Sequence, residues 1–410
     1  MNTEEFIDLD TILATEAIEV HFQPIVSISQ KKIVGYEGLC RGHDVERQCL
    51  ISPMRLIQEA HSQRKTLTLD MLFRKKVLEA FQPVFEKFPK TFLSLNVEAS
   101  LIDHTGILDI LHLTKQFEIP PENVVVEILE SAVHNTRALK KFITDHREYG
   151  FLIALDDIGS GYSNLDRIAM IKPDIIKIDQ TLVVRKNDDY YKEQVLKSIV
   201  DLSRKIGANV ITEGIETEEE AVQTLQLGSD LLQGYYFGMP ELFSASNLFT
   251  KTEYRMEEVA KKFKSSLLDK LNSKRDHHQR HHELISKMVV QFSKKTPKQF
   301  EVELKMILDT IDSIEALYVL DEAGIQITHR IERQAPKGSK LLRFKPLEKG
   351  ADHFLQDYYY FLMESGREKY TFSSEPHVIG KNQWYSTISS VFFDKHDRKY
   401  ILCMDVLAII

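Results

Sequence analysis

The chain has 410 residues and a formal net charge of -8, so we expect a globular protein with two domains. The acidic balance argues against a surface that binds nucleic acid polymers or anionic membranes. None of the three cysteines forms a CxxC pair, which argues against a disulfide framework or a thiolate zinc site. The sequence shows no signal peptide and no apolar run of roughly 18–20 residues, so we expect a cytoplasmic protein without a membrane span.

Short apolar runs alternate with longer stretches of helical periodicity between residues 18 and 240. The eight runs are 18–28, 33–42, 91–99, 124–131, 152–159, 174–179, 209–216 and 230–238, and helical segments include 66–88, 137–149, 189–206 and 217–226. This alternation predicts an α/β fold in which parallel strands close into a (β/α)8 TIM-type barrel. Only "SQKK" separates the first two runs, so they should form an antiparallel hairpin and make the barrel irregular, with one antiparallel strand.

A long helix is predicted after the barrel, because Glu241–Thr296 contains neither Gly nor Pro. Its apolar stripe consists of Met256, Val259, Phe263, Leu267 and Leu271, at spacings of three and four. The stripe must pack on a neighbouring domain or on a second copy of the chain, and we expect a homodimer. We assign 1–245 to the barrel, 246–283 to the connecting helix and 284–410 to a second domain.

The second domain is predicted to be a small α+β unit with an antiparallel meander. "ALYVLDEAGIQITHR" (316–330) predicts two strands around a turn, and 371–379, 384–394 and 398–409 predict further strands. The last two are joined by the turn "DKHD".

Polar side chains end nearly every predicted barrel strand. They are Glu37, Asn96, Glu127 with Glu130 behind it, Asp156, Asp157, Lys177, Glu213, Glu216 and Gln233. Because catalytic groups of such barrels lie at the carboxyl ends of the strands, these side chains should meet there. Carboxylates gathered at one rim have raised pKa values unless a cation neutralises them, and oxygen-rich clusters suit magnesium, manganese or calcium.

Two metal ions about 3.5–4 Å apart would suit in-line attack on a phosphodiester, and the Asp156–Asp157 pair can serve both ions or bridge them. Any one of these residues could instead form a rim salt bridge, and the Asp pair could be a turn with an Asx bond. The recurrence of polar residues around the whole barrel favours the metal site.

Eight motifs stand in order along the first 240 residues. They are "FQPIV" (22–26), "YEGLCRG" (36–42), "LSLNV" (93–97), "VEILES" (126–131), "DDIGSGYSN" (156–164), "KPDIIKID" (172–179), "TEGIET" (212–217) and "QGYYFGMP" (233–240). In content, order and spacing this set resembles the EAL-domain family, which hydrolyses cyclic di-GMP. The resemblance implies two magnesium or manganese ions that open cyclic di-GMP to linear pGpG, with calcium supporting binding and inhibiting turnover.

The resemblance also implies a role for each matched residue. Glu37, Asn96, Glu127, Asp156 and Asp157 correspond to metal ligands. Lys177 corresponds to a water-positioning lysine, Glu213 to the glutamate of the "EG" motif, Gln233 to a glutamine that holds the site water or metal shell, and Glu130 to a glutamate that anchors the loop after Asp157. Arg41 corresponds to a phosphate-binding arginine, and the other substrate-binding positions are Gln23, Leu39, Asp179, Glu216, Tyr236 and Pro240.

Three departures from the family pattern bear on activity. Gly38 replaces the alanine of the signature tripeptide, which keeps the ligand and adds backbone freedom. Ile158 and Ser160 are conservative changes, and Met239 stands where the family often has Lys or Arg, which should weaken substrate contacts. No metal ligand is lost, so we expect hydrolysis regulated by the second domain. The alternatives are a cyclic di-GMP receptor with little or no turnover and a dimeric scaffold.

The second domain resembles PAS/Cache-type sensor domains, whose signal here would be a small molecule or a protein. Asp357 and the three tyrosines after it belong either to the core or to a ligand pocket. The segment "HHQRHH" (277–282) places His277 over His281 and His278 over His282 at helical spacing. Such pairs bind zinc or copper, although a solvated helix face is the favoured interpretation.

Overall fold

The computed structural model describes residues 7–44, 49–98, 101–102, 107–129, 135–159, 165–183, 190–243, 248–333, 348–363, 370–378 and 384–408. The chain divides into two compact units, Met1–Leu267 and Leu268–Ile410. Among the described helices, none combines the length and the apolar character that a membrane crossing requires.

The elements of the first unit follow in chain order. They are α1 (Leu9–Thr15), β1 (Ile18–Ser27), β2 (Lys32–Asp44), β3 (Cys49–Ile51), α2 (Pro53–Ser62), α3 (Thr66–Lys87), β4 (Phe92–Val97), α4 (Ile107–Gln116), β5 (Val124–Leu129), α5 (Thr136–Glu148), β6 (Leu152–Ile158), α6 (Leu165–Ile171), β7 (Ile175–Ile178), α7 (Tyr190–Ile206), β8 (Asn209–Thr212), α8 (Glu218–Leu227) and β9 (Leu231–Gln233). Helix α9 (Leu248–Phe292) begins in this unit and ends in the second.

The second unit continues with α10 (Pro297–Thr310), β10 (Ile314–Asp321), β11 (Ile331–Glu332), α11 (Asp357–Met363), β12 (Thr371–Ser373), β13 (His377–Val378), β14 (Trp384–Phe393) and β15 (Lys399–Leu407).

The first unit is a closed eight-stranded barrel. The strand order is β1-β9-β8-β7-β6-β5-β4-β2, the pairing of β1 with β2 closes the ring, and β3 extends β2 outside it. Strand β1 runs antiparallel to both of its neighbours, and the other barrel pairs are parallel. The predicted barrel with one antiparallel strand is therefore confirmed.

The barrel interior consists of stacked side-chain layers. One layer is apolar and contains Ile25, Val125, Ala154, Ile175 and Ile211, all buried, with Phe92 and Leu231 packed against it. Because side chains of a strand alternate between faces, the residue two positions nearer the carboxyl rim also points inward. The layer formed by those residues is polar.

The apolar stripe of α9 divides between two environments. Met256 and Val259 are fully buried in the core of the barrel unit, and Phe263 packs partly against it. Leu267 and Leu271 remain 37% and 54% exposed. The part of the predicted stripe nearest the barrel therefore packs on that neighbouring domain.

The second unit is an antiparallel sheet in the order β11-β10-β15-β14-β12, with β13 paired to β14. One sheet face, including Leu317, Leu402 and Met404, packs with residues of α9 and α10 such as Phe292 and Phe300. The opposite face packs against α11 in a second cluster.

Two predicted strands of the second unit differ from the structure. The turn after β10 is present, but the segment that follows forms only two isolated bridges, Leu320 with Gln326 and Ile325 with Asp352, before the short β11. The run at 371–379 is split into β12 and β13, with Pro376 between them. Proline interrupts a ladder because it has no N–H to donate.

The tyrosines of α11 have separate environments. Tyr358 is buried, and its hydroxyl lies 2.6 Å from Nδ1 of His353. Tyr360 is 56% exposed. The core assignment therefore holds for Tyr358 and is wrong for Tyr360.

Candidate active site

Each barrel strand contributes one residue, within the strand or directly after it, to a connected polar layer. The polar layer consists of Gln23, Glu37, Ser94, Glu127, Asp156, Lys177, Glu213 and Gln233. Hydrogen bonds and ion pairs join all eight side chains into one network. Because the layer lies directly on the apolar interior layer, its charges are held away from bulk water on one side.

Lys177 is the centre of the network. Its ammonium nitrogen lies 2.7 Å from a carboxylate oxygen of both Glu127 and Glu213, 3.4 Å from Asp156 and 3.7 Å from Glu37. The side chain is 1% exposed. The four surrounding carboxylates raise the pKa of Lys177 well above its usual value in spite of its burial. Lys177 is therefore a fixed positive charge.

Two amides fix the orientation of Glu37. Asn96 donates to one carboxylate oxygen at 3.0 Å, and Gln233 donates to the other at 2.6 Å. Gln233 also donates to Gln23, whose own amide donates to the carbonyl of Gly238. This chain of amides ties the carboxylate on β2 to the loop after β9 and leaves Glu37 little freedom to rotate.

The acidic side chains of the site titrate differently because their partners differ. Burial raises the pKa of Glu127 well above its usual value and the pKa of Glu213 to about 8, although Lys177 opposes both shifts. Burial and the adjacent Asp156 raise the pKa of Asp157 to about 6. At Glu37, Lys177 and the two amides outweigh burial, so its pKa lies below the usual value.

The sequence predicted raised pKa values unless a cation neutralises the carboxylates. Glu127, Asp157 and Glu213 have raised pKa values, and Glu37 is the exception that the prediction allowed, because Lys177 lies close to it. One ammonium does not neutralise all of these carboxylates, and additional positive charge would favour their ionised forms.

The adjacent carboxylates Asp156 and Asp157 lie just before the last residue of strand β6, Ile158. Asp157 has a positive φ of 60°, and its N–H donates to Oδ1 of Asp156 at 2.9 Å. Aspartate tolerates this left-handed region better than most residues. One carboxylate oxygen from each of Asp156, Asp157 and Glu213 lies within 4.8 Å of the others. Both residues lie within strand β6 and not in the turn considered from the sequence, and a hydrogen bond inside the pair accompanies the carboxylate cluster.

Ser94 is a site residue that was not predicted from the sequence. It is fully buried, and its hydroxyl donates to Oε1 of Glu127, the oxygen that also faces Lys177. Ser94 lies two residues before Asn96 on β4, so strand alternation places both on one face. This alternation could have identified Ser94. It was missed because the prediction considered only polar residues near the ends of strands, and Ser94 lies inside β4.

The predicted substrate-binding residues are more dispersed than the predicted metal ligands. Asp179 accepts a hydrogen bond from the N–H of Thr181 and raises the pKa of Asp157. Arg41 donates to the carbonyl of Cys40. Leu39 is half-buried on β2. Among the described contacts, none of these three joins the polar layer directly.

The other predicted positions lie around the loops after β8 and β9. Glu216 is exposed, Tyr236 carries the guanidinium of Arg255 over its ring at 5.0 Å, and the Pro240 carbonyl lies 3.3 Å from His21. Glu130 lies outside the described residues.

Comparison with known proteins identifies the fold and the family. The family model for the EAL domain matches residues 8–240. The chain belongs to the EAL-domain family. The EAL-domain containing protein YkuI of Bacillus subtilis is 30% identical over 338 residues, which cover 80% of each chain. The crystal structure of YkuI, in complex with substrate c-di-GMP and calcium, aligns with a TM-score of 0.80 at 24% identity and covers 99% of this chain and 100% of YkuI.

Two further proteins match a little more than half of this chain. The cyclic di-GMP phosphodiesterase RocR of Pseudomonas aeruginosa is 28% identical over 235 residues, which are 54% of this chain and 57% of RocR. A complex of Klebsiella pneumoniae BlrP1 with manganese and c-di-GMP aligns with a TM-score of 0.50 at 24% identity, over 55% of this chain and 56% of BlrP1. The chain thus spans little more than half the length of these two relatives.

Gly38 has a packing role in this EAL domain. It lies within β2, and a Cβ atom added there would lie 2.4 Å from Cγ1 of Val77 on α3. Val77 is itself 2% exposed in the barrel core. Close approach of α3 to β2, rather than the backbone freedom expected from the sequence, therefore accounts for glycine here.

We predict that Gly38→Ala alone lowers the free energy of unfolding by about 1–3 kcal/mol, because the added methyl overpacks the contact with Val77. In the Gly38→Ala/Val77→Ala double variant, the loss should be smaller than the sum of the single losses by at least about 1 kcal/mol. Urea denaturation of wild type, both single variants and the double variant measures this coupling. Strictly additive losses would show that the two side chains do not compete for one space.

Proposed function

We propose that the chain hydrolyses cyclic di-GMP to linear pGpG with two divalent cations, Mg²⁺ or Mn²⁺, bound beside the polar layer. The observation that carries the proposal is the convergence of Asp156, Asp157 and Glu213 within 4.8 Å at the carboxyl rim. Oxygen ligands of this kind suit Mg²⁺ and Mn²⁺.

The residues present fit such ions. The site holds the carboxylates of Glu37, Glu127, Asp156, Asp157 and Glu213 around the single ammonium of Lys177. Oε2 of Glu127 and Oε1 of Gln233 are buried and accept no hydrogen bond from the described residues. A buried acceptor without a partner costs about 1–3 kcal/mol, and a bound cation would supply one.

Asp156, Asp157 and Glu213 would hold one ion together, and Glu37, Asn96 and Glu127 would ligate the other, with Asp156 placed to be shared. When bound, the two ions would activate a water and neutralise the charge that develops on the phosphodiester.

The protein side chains have distinct parts in this proposal. Lys177 fixes the carboxylates of Glu127 and Glu213 and is close enough to both to orient a water between them. Gln233 and Asn96 hold Glu37 in one orientation. Arg41 supplies a guanidinium that can pair with two phosphate oxygens, and it is only half-buried, so its planar group can reach a substrate.

The relatives support the same chemistry. RocR is described as a cyclic di-GMP phosphodiesterase, and YkuI and BlrP1 have been crystallised with c-di-GMP and calcium or manganese. Calcium should support nucleotide binding here and inhibit turnover, since it is larger and takes more flexible coordination than Mg²⁺.

We predict that the full chain forms pGpG from cyclic di-GMP in Mg²⁺ or Mn²⁺ and that EDTA abolishes product formation. Glu37→Ala should lower metal-dependent activity at least 10- to 100-fold, because it removes a ligand and unties both amides. Chromatography of the nucleotides over time, with calorimetry of binding in Ca²⁺, measures turnover and binding separately. Glu148→Ala, at an exposed glutamate that ends α5, is the matched control and should remain fully active.

Tight binding of the nucleotide in Ca²⁺ without any pGpG in either active metal would refute the hydrolase and favour the receptor alternative. If the wild-type protein neither binds nor hydrolyses cyclic di-GMP, the hydrolase and the receptor proposals are both refuted.

We also propose that the second unit acts as a regulatory PAS/Cache-like module whose signal is a small molecule or a protein. Helix α9 supports this because it runs without interruption from the barrel unit into the second unit.

We further propose that the chain is a homodimer paired in part through α9. Leu268 and Leu271 are 51% and 54% exposed on the same helix and have no apolar cluster of the chain to cover them among the described residues. In sedimentation velocity, the wild-type protein should be a dimer of two 47.5 kDa chains. The double variant Leu268→Glu/Leu271→Glu should be a monomer, and the control Lys270→Glu should remain a dimer. A wild-type monomer at micromolar concentration would contradict the proposal.

A further inference from the structure

Four histidines of the second unit line one groove. They are His277, His278, His281 and His282 of α9, and the other walls include Ser373, Ser386, Ile388 and Val406 of the sheet. The groove has a volume of about 820 Å³. The rings pair along the helix, with centroids 4.0 Å apart for His277 and His281 and 5.0 Å apart for His278 and His282.

The His277–His281 pair is not a solvated helix face. His281 is only 6% exposed, which corrects the interpretation favoured from the sequence. The Nε2 atom of His277 is buried and has no hydrogen-bond partner among the described residues. Buried polar groups normally have partners, so this unpartnered ring nitrogen at a groove points to a bound ion that accepts its lone pair.

The second pair has a different environment. Nδ1 of His282 lies 3.2 Å from the hydroxyl of Thr371, and His278 is exposed.

We propose that His277 and His281 chelate one transition-metal ion, Zn²⁺ or Cu²⁺, on the second unit. Imidazole nitrogen suits these two ions, and metal–nitrogen distances of roughly 2.0–2.1 Å place two ligand nitrogens of one ion within about 4 Å of each other. The rings of His277 and His281, with centroids 4.0 Å apart, are close enough for one nitrogen of each to bind the same ion.

Two ligands leave coordination positions open to water or an anion. Lys274 and Arg275 also line the groove on exposed positions of the helix. Their positive charges would favour an anionic co-ligand on the ion. The nitrogen donors of this site differ in kind from the oxygen donors of the barrel, so the two sites should select different metals.

The test uses tag-free full-length protein in millimolar Mg²⁺, so that oxygen-ligand sites are occupied before Zn²⁺ or Cu²⁺ is added. We expect one equivalent of Zn²⁺ to bind in competition with a chromophoric chelator, and Cu²⁺ to show nitrogen superhyperfine splitting in electron paramagnetic resonance. His277→Gln should weaken Zn²⁺ binding at least about tenfold. His329→Gln is the matched control, since that ring is largely exposed beside Glu301.

His281→Gln should also weaken Zn²⁺ binding, but the buried ring makes this variant prone to misfolding. His277→Gln is therefore the deciding variant, because His277 is only half-buried. Unchanged Zn²⁺ affinity in folded His277→Gln would overturn the proposal, as would a Cu²⁺ spectrum without nitrogen splitting. Loss of binding confined to a His278→Gln/His282→Gln variant would assign the ion to the other pair and would also overturn it.

Discussion

The buried ammonium of Lys177 among four carboxylates is the interaction on which the site depends. Taking one cation and several carboxylates from water is costly, and it is tolerated only where attraction and hydrogen bonds are well aligned. Here the alignment comes from the barrel, because each strand delivers one side chain of the polar layer at the same height. The excess of negative charge over Lys177 makes the rim receptive to further cations, which is the property that a metal-dependent hydrolase needs.

The barrel and the polar layer were largely predictable from the sequence because both follow from strand periodicity. Apolar runs that end in polar residues were enough to identify Glu37, Glu127, Asp156 and Lys177. The antiparallel start followed from a connection too short for a parallel crossover. The barrel strands and their polar ends depend on local sequence patterns, and such patterns can be recognised in a single sequence.

Other features depend on pairs of residues distant in the sequence, and no local pattern reports them. Gly38 is required by Val77, which lies on a helix 39 positions later. The pKa shifts of Glu37 and Glu127 are opposite, because Lys177 and two amides outweigh burial at Glu37, whereas burial and neighbouring carboxylates outweigh Lys177 at Glu127. His281 is buried at a groove whose other walls come from strands about a hundred residues further along the chain, so periodicity alone suggested a solvated face.

Asp156, Asp157 and Glu213 are central to the proposed hydrolysis, because together they would bind a catalytic cation. Anomalous diffraction at the manganese edge, from crystals grown with Mn²⁺ and cyclic di-GMP, tests this most directly. We predict a peak within about 2.0–2.6 Å of carboxylate oxygens from these three residues, and a second peak near Glu37 and Glu127. A strong manganese peak elsewhere, with no peak at these three carboxylates, would contradict the proposed catalytic metal site.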